Sequence, residues 1–219
     1  MKVLVIGANG RTGTQIVKQL SQNSISLIAG IHSRNHINSL NTYTDKIVVI
    51  DIVSLSVNEL IQKIRDLDVN VIIFASGASQ DGPDMAVWID QDGAIKLMQA
   101  AKKANIKHFI MISAAGAERR ATWNIYDIPL YYLAKYYAED YLRKSGLNYT
   151  VIRPAMLTDA PATGNVSSND SSTPFVSRQD VALVAFQALQ NSRLKNIGFN
   201  LYGGTTPIND LNPTDLNDF

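Results

Sequence analysis

The sequence predicts an α/β fold in which helices cover both faces of a mostly parallel β-sheet. Short apolar segments recur along the chain, and stretches with helical spacing separate them. These segments are continuous rather than alternating, which is typical of strands buried on both faces. They span residues 3–6, 25–31, 47–50, 71–74, 109–112, 149–152 and 199–202. Strands that alternate with helices in this way indicate a Rossmann-type, doubly wound parallel sheet.

Local signals indicate where several helices begin and end. Ser56 and Glu59 form a capping box, and Ser177 is a similar start for the last long helix. Pro129 suits the first turn of another helix, and Gly146 suits its left-handed end. These signals agree with the apolar spacing, so helix and strand predictions support one another.

Length and composition predict one domain, residues 1–219. We expect a cofactor-binding core over residues 1–154 and a small C-terminal substrate cap over residues 155–219. Residues 158–173 are almost all small or polar, and we interpret them as a lid loop without regular structure.

Charge and cysteine content narrow the possible partners. The chain has a formal net charge of +1 and no cysteine. We therefore expect a cytoplasmic protein with a small-molecule substrate and no nucleic-acid or membrane partner. A monomer and a homodimer are both compatible with the sequence.

A glycine-rich turn follows the first strand and opens the first helix. Gly7, Gly10 and Gly13 have the spacing that lets a backbone approach a pyrophosphate closely. The helix start adds N–H donors and a positive dipole. The cofactor-binding residues predicted in this turn are Gly7, Asn9, Gly10, Arg11, Thr12 and Gly13.

The residues after the second strand favour NADP(H) over NAD(H). An NAD-preferring site has an acidic residue there for the ribose 2′-hydroxyl, but the first acidic residue of this chain is Asp45. Ser33 and Arg34 follow the strand instead, and Arg34 with Arg11 suits a 2′-phosphate. The alternative is that both arginines are solvated surface residues.

Further cofactor contacts are expected where other strands end, because ligands of open α/β sheets bind at that edge. Asp51 is expected to meet the adenine amino group. Small side chains after the fourth strand would let the ribose and nicotinamide lie across the sheet. The residues predicted at these two strand ends are Asp51, Ile52, Ala75, Ser76 and Gly77.

Tyr131 and Lys135 are four residues apart, which places both side chains on one helix face. An ammonium beside a phenol stabilises the phenolate, and the lysine could also hold the nicotinamide ribose. Ser113 ends the fifth strand and could bind a substrate carbonyl or hydroxyl. These three residues are the candidates for proton transfer coupled to hydride transfer. The helix is rich in tyrosine, so packing is the alternative role of Tyr131.

The chain resembles the short-chain dehydrogenase/reductase superfamily. It is most similar to the atypical NADP-binding subgroup of epimerase/dehydratase-like and flavin or biliverdin reductase-like proteins. The resemblance rests on residues 7–13, 132–135, 138–139, 145–150, 153–154 and 177–182. It implies that Arg153, Pro154 and Ala155 border the nicotinamide and that Met156 also belongs to the cofactor-binding residues. Where the family has an active-site asparagine, this chain offers Asp92.

The predicted function is that of an NAD(P)-dependent oxidoreductase or an epimerase/dehydratase-like enzyme acting on a small carbonyl or hydroxyl compound. A non-catalytic NADP(H)-binding regulatory protein is the alternative. His32 and His36 have no third ligand nearby in the sequence, so no metal site is predicted.

Overall fold

A nine-stranded sheet forms the centre of the computed structural model, which describes residues 1–34, 40–78, 82–124, 128–168 and 173–214. The strands are β1 (Lys2–Ile6), β2 (Ser26–Ile31), β3 (Ile47–Val49), β4 (Val71–Phe74), β5 (His108–Ile112), β6 (Tyr149–Pro154), β7 (Met156–Thr158), β8 (Asn165–Ser167), β9 (Phe175–Ser177), β10 (Ile197–Gly203) and β11 (Thr206–Pro207). The order in the large sheet is β11-β8-β10-β6-β5-β4-β1-β2-β3, and β7 pairs with β9 separately.

The predicted parallel sheet is confirmed. All seven predicted strands are present, and each pairs in parallel with its neighbours from β3 to β10. Strand β1 lies between β2 and β4, so the chain winds outward in both directions from this point. Folds of this kind bind ligands at the carboxyl end of the strands beside that reversal.

Helices cover both faces of the sheet. Their bounds are α1 (Arg11–Gln22), α2 (Val57–Leu67), α3 (Pro83–Met85), a π-helix (Ala86–Gly93), α4 (Ala94–Lys103), α5 (Pro129–Lys144) and α6 (Arg178–Gln190). Single 3₁₀ turns span Arg120–Thr122, Ser192–Leu194 and Ile208–Asp210. Val3 and Val5 of β1 pack in the core layer that includes α1 and α6, whereas Leu4 and Ile6 pack in the layer that includes α2, α4 and α5. This division follows from the alternation of side chains along a strand.

The predicted helix ends are found in the structure. Both hydrogen bonds of the Ser56 capping box are present, and the Ser177 side chain accepts a bond from the Asp180 N–H. Pro129 is the first residue of α5, and Gly146 follows its end with φ of +78°. Local sequence therefore determines where these helices begin and end.

The C-terminal segment is more regular than predicted. Strand β8 lies inside the expected lid loop, where it pairs antiparallel with β10 and β11. Before it, the Thr163 and Gly164 N–H groups donate to the Asp180 carboxylate at 3.1 and 2.9 Å. The expectation of an irregular loop over residues 158–173 is thus wrong for part of its length. Residues 169–172 lie outside the described residues, and the division into core and cap stays a prediction.

Candidate dinucleotide-binding and catalytic site

The turn after β1 has the close packing that its glycines predict. Gly7 adopts φ of +79°, and a Cβ atom there would lie 2.6 Å from the Ser76 backbone nitrogen. A Cβ atom on Gly13 would lie 2.0 Å from the Gly7 carbonyl oxygen. The Gly7 and Ala8 N–H groups both donate to the Gly30 carbonyl at 3.1 Å. A side chain at either glycine would therefore displace the turn from the strands beneath it.

The N-terminus of α1 is suited to an anion. Gly10 is its N-cap and supplies no side-chain hydrogen bond, and the first turn contains no acidic residue. The first N–H groups of a helix have no partner within the helix and carry partial positive charge. A pyrophosphate lying here would meet donors that no side chain of this turn occupies. The glycine turn and the helix start therefore fit a dinucleotide.

A cleft of about 800 Å³ begins at this turn and crosses the ends of β3, β4 and β5. It is lined by thirteen of the predicted site residues: Gly7, Asn9, Gly10, Arg11, Thr12, Asp51, Ile52, Ala75, Ser76, Gly77, Ser113, Tyr131 and Lys135. Its volume lies within the range of ordinary ligand sites. The structure therefore brings the predicted phosphate turn and the predicted catalytic group to one cleft.

Some predicted residues lie outside this lining. Gly13 packs beneath the turn, and Arg153 is fully buried behind the wall. Ser33, Arg34, Pro154, Ala155 and Met156 are also not part of the wall. Sequence reasoning missed nine other wall residues: Ile6, His32, Ile50, Val53, Met85, Ile89, Ile112, Leu157 and Arg178. The resemblance did mark residues 177–182, so a signal for Arg178 was present.

Asp51 lies at the end of β3, but its carboxylate is occupied within its own turn. Oδ1 accepts a bond from the Val53 N–H at 3.0 Å, and Oδ2 accepts one from the Ser54 hydroxyl at 2.8 Å. Carboxylate oxygens can accept more than one hydrogen bond, so a contact with the adenine amino group stays a prediction.

Lys135 forms a buried ion pair with Asp90. Its Nζ lies 2.7 Å from Asp90 Oδ1, and the two side chains are 2% and 0% exposed. The same Nζ donates to the Ile112 carbonyl at 3.1 Å, and the Ala78 N–H donates to Asp90 Oδ2 at 2.9 Å. Lys135 also lies 5.6 Å from the centre of the Tyr131 ring. Asp90 is therefore a third member of the group that the sequence predicted as the pair Tyr131 and Lys135.

Asp92 does not line the cleft, whereas Asp90 of the same helix is the aspartate that pairs with Lys135. Asp92 is 46% exposed, pairs with Lys96 at 3.3 Å and is not one of the residues that line the cleft. Both aspartates belong to the π-helix, in which hydrogen bonds join residues five apart. This wider turn changes which positions face inward, and the resemblance that pointed to Asp92 gives no information about such a turn. The buried face therefore carries Asp90.

Burial is the main reason why the Tyr131 phenol stays protonated. Burial raises the pKa of Tyr131, the Lys135 ammonium acts in the opposite direction, and the Asp90 carboxylate raises the pKa further. Burial alone would lower the pKa of Lys135, but the Asp90 carboxylate holds it above its ordinary value. Lys135 does favour the phenolate, as expected, but burial and the Asp90 carboxylate together outweigh it, so the pKa of Tyr131 lies above its ordinary value. The site offers a neutral phenol, which is a proton donor.

The Ser113 hydroxyl donates its proton inward to Glu139 Oε1. Arg153 holds the other oxygen of that carboxylate, with Nε at 2.9 Å and Nη2 at 2.7 Å from Oε2. Glu139 and Arg153 are both fully buried. Because its single proton is engaged, Ser113 can only accept a hydrogen bond from a group in the cleft. Glu139 and Arg153 are among the residues that carry the family resemblance, but the sequence did not predict their link to Ser113.

Comparison with known proteins agrees with this geometry. Residues 7–192 match the model of a family described as NAD(P)H-binding. The chain belongs to the NAD(P)H-binding family. A Bacillus subtilis (strain 168) relative named "Uncharacterized sugar epimerase YhfK" is 38% identical over 210 residues, which are 95% of this chain and 97% of that protein.

Two solved structures resemble this chain over nearly its whole length. A Bacillus halodurans protein, named provisionally as an NAD-dependent epimerase/dehydratase, has a TM-score of 0.85, with 28% identity over 95% of this chain and 97% of its own. The oxidoreductase ylbE from Lactococcus lactis has a TM-score of 0.82, with 28% identity over 95% of this chain and 93% of its own. The predicted resemblance is confirmed, and with it an NAD(P)-dependent enzyme of the oxidoreductase or epimerase-like type.

Two further observations concern ions and membranes. Within the described ranges, no group of three or more His, Asp or Glu side chains is arranged to hold a metal ion. His32 lies on the cleft wall, whereas His36 lies outside the described residues. No helix in those ranges has the length and apolar character needed to span a membrane. The cytoplasmic location stays a prediction.

Proposed function

We propose that this family member is an NADPH-preferring reductase of small carbonyl compounds and that Tyr131 is its proton donor. The observation that supports this most directly is a protonated phenol on the cleft wall beside the balanced Lys135–Asp90 pair. When bound, the nicotinamide cofactor supplies the hydride. Negative charge then develops on the carbonyl oxygen, and Tyr131 is positioned to protonate it.

The preference for NADPH rests on charge at the end of β2. Arg34 is exposed there, and no acidic residue precedes Asp45. Asp51, the carboxylate on the adjacent strand end, already accepts bonds from its own turn. A ribose 2′-phosphate would thus meet a guanidinium, and a free 2′-hydroxyl would lack the carboxylate typical of NAD sites.

The acceptor role of Ser113 favours a second candidate, an epimerase-type reaction on a hydroxyl compound. A substrate hydroxyl can donate to Ser113 Oγ, which has no proton of its own to offer. In that reaction the cofactor is reduced and reoxidised in each cycle. Epimer would form without net consumption of NADPH or NADP⁺.

The test is a panel of aldehydes, ketones, quinones, flavins and sugar nucleotides, assayed with NADPH and with NADH. We expect faster turnover with NADPH on at least one carbonyl compound. Tyr131→Phe should reduce kcat by about a hundredfold, since it removes only the transferable proton. Tyr137→Phe on the exposed side of α5 is the matched control and should keep full activity.

Each outcome discriminates between the hypotheses. Full activity of Tyr131→Phe would contradict its role as proton donor. Sugar-nucleotide epimerisation without net cofactor oxidation would replace the reductase proposal by the epimerase candidate. Tight NADPH binding with no turnover across the panel would favour the non-catalytic regulatory protein.

A further inference from the structure

A carboxylate of the C-terminal segment lies between two arginines of the cleft wall. Asp159 Oδ1 is 2.7 Å from Arg178 Nη1, and Asp159 Oδ2 is 4.0 Å from Arg11 Nη1. Arg11 and Arg178 both line the cleft, whereas Asp159 follows β7. The bridge therefore joins the phosphate turn to the start of the C-terminal helix.

The topology explains why the two arginines meet. Helix α1 connects the parallel strands β1 and β2, so it runs opposite to the strands. Helix α6 leads into β10, which is parallel to β6, so it runs in the same direction as α1. The two helices pack against each other, and both therefore begin at the carboxyl edge of the sheet. Arg11 and Arg178 are their first residues, so two guanidinium groups and two positive helix ends lie together.

The two partners of the stronger ion pair differ in exposure. The Arg178 side chain is 8% exposed, whereas that of Asp159 is 71% exposed. A guanidinium so little solvated requires an anionic partner. An exposed carboxylate, by contrast, gains little from an ion pair and can return to water at small cost. Arg178 therefore needs an anion, and Asp159 is an anion that another can displace.

We propose that Arg178, together with Arg11, is an anion-binding position of the cleft for a phosphate or pyrophosphate group of a ligand. Asp159 occupies this position until that group displaces it. A guanidinium binds phosphate oxygens with the same paired geometry that it offers a carboxylate. A phosphate group carries more charge and more acceptor oxygens than Asp159, and both helix ends stabilise it. The inference does not depend on the role proposed for Tyr131.

Binding measurements on Arg178→Gln and Asp159→Asn test this proposal. The probes are NADPH, which carries a pyrophosphate, and inorganic pyrophosphate added to protein saturated with NADP⁺. For the probe that uses the site, Arg178→Gln should weaken binding by about tenfold or more, the effect of one lost charge-assisted hydrogen bond. Asp159→Asn should strengthen it by about threefold, because the competing ion pair is gone.

Asp68→Asn is the matched control. Asp68 is also an exposed carboxylate in an ion pair, with Lys2 at 3.5 Å, but it precedes β4 at the opposite edge of the sheet. Its substitution should change neither affinity. If the Arg178 and Asp159 variants change the affinity for NADPH, the anion is the cofactor's pyrophosphate. If they change only the affinity of the NADP⁺-saturated protein for inorganic pyrophosphate, the anion is a substrate phosphate.

The opposite signs of the two effects distinguish an anion site from a structural bridge. If the bridge merely held the C-terminal segment in place, both substitutions would weaken binding, and the proposal would be overturned. Unchanged affinity for both probes in Asp159→Asn would overturn it as well. Asp159 is mostly exposed, so this variant decides the question even if Arg178→Gln fails to fold.

Discussion

Asp90→Asn removes the carboxylate that balances Lys135 and leaves an ammonium buried without its closest counter-ion. The two charges are 2.7 Å apart and almost wholly shielded from water. Breaking such a pair from one side costs about 3–5 kcal/mol of folding free energy, because the remaining charge stays desolvated. For a chain of this length the loss corresponds to a decrease in Tm of about 6–20 °C. Urea unfolding and a thermal scan at pH 7 measure both quantities.

Asp92→Asn is the control for this experiment, since it makes the same chemical change two residues away. Asp92 is half exposed and its partner is Lys96, so its loss should cost less than about 1 kcal/mol. The double variant Asp90→Asn/Lys135→Met should recover much of the lost stability, because it removes both buried charges. Equal losses for the two single variants would refute the assignment of Asp90 to the buried pair.

Two further predictions concern cofactor charge and pH. Arg34→Glu should weaken NADPH binding by about tenfold or more with little change for NADH. Fluorescence titration measures this, and Arg193→Glu, in the 3₁₀ turn that follows α6 and outside the cleft lining, is the control. Burial, aided by the Lys195 charge, lowers the pKa of His108 to about 4 in the folded chain. Its unfolded value is about 6.5, so the free energy of unfolding should fall by up to about 1.4 kcal/mol per pH unit as the pH drops from 6.5 to 4. His108→Gln should flatten that slope in urea titrations, and an unchanged slope would contradict the assignment.

The sheet and the phosphate turn were predictable because their signals are local. Continuous apolar segments produced all seven main strands, and the positive φ of Gly7 follows from the turn that its spacing predicts. Strand β8 was missed because three residues with one apolar side chain, Val166, carry no such signal. Its pairing with β10 and β11 is a long-range contact, and Val166 is fully buried in the folded chain.

The candidate site was predicted in its residue types but only partly in its electrostatics. Tyr131, Lys135 and Ser113 do lie in one cleft, yet each has a partner that spacing alone does not reveal. The π-helix brings Asp90 to Lys135, and Glu139 of α5 orients the Ser113 hydroxyl. These partners decide two roles that the sequence left open, since the phenol stays neutral and the serine is an acceptor. Whether a group holds, donates or accepts a proton depends on contacts between elements that are distant in the sequence. The sequence could therefore indicate which residues carry the chemistry, but not the direction in which each transfers a proton.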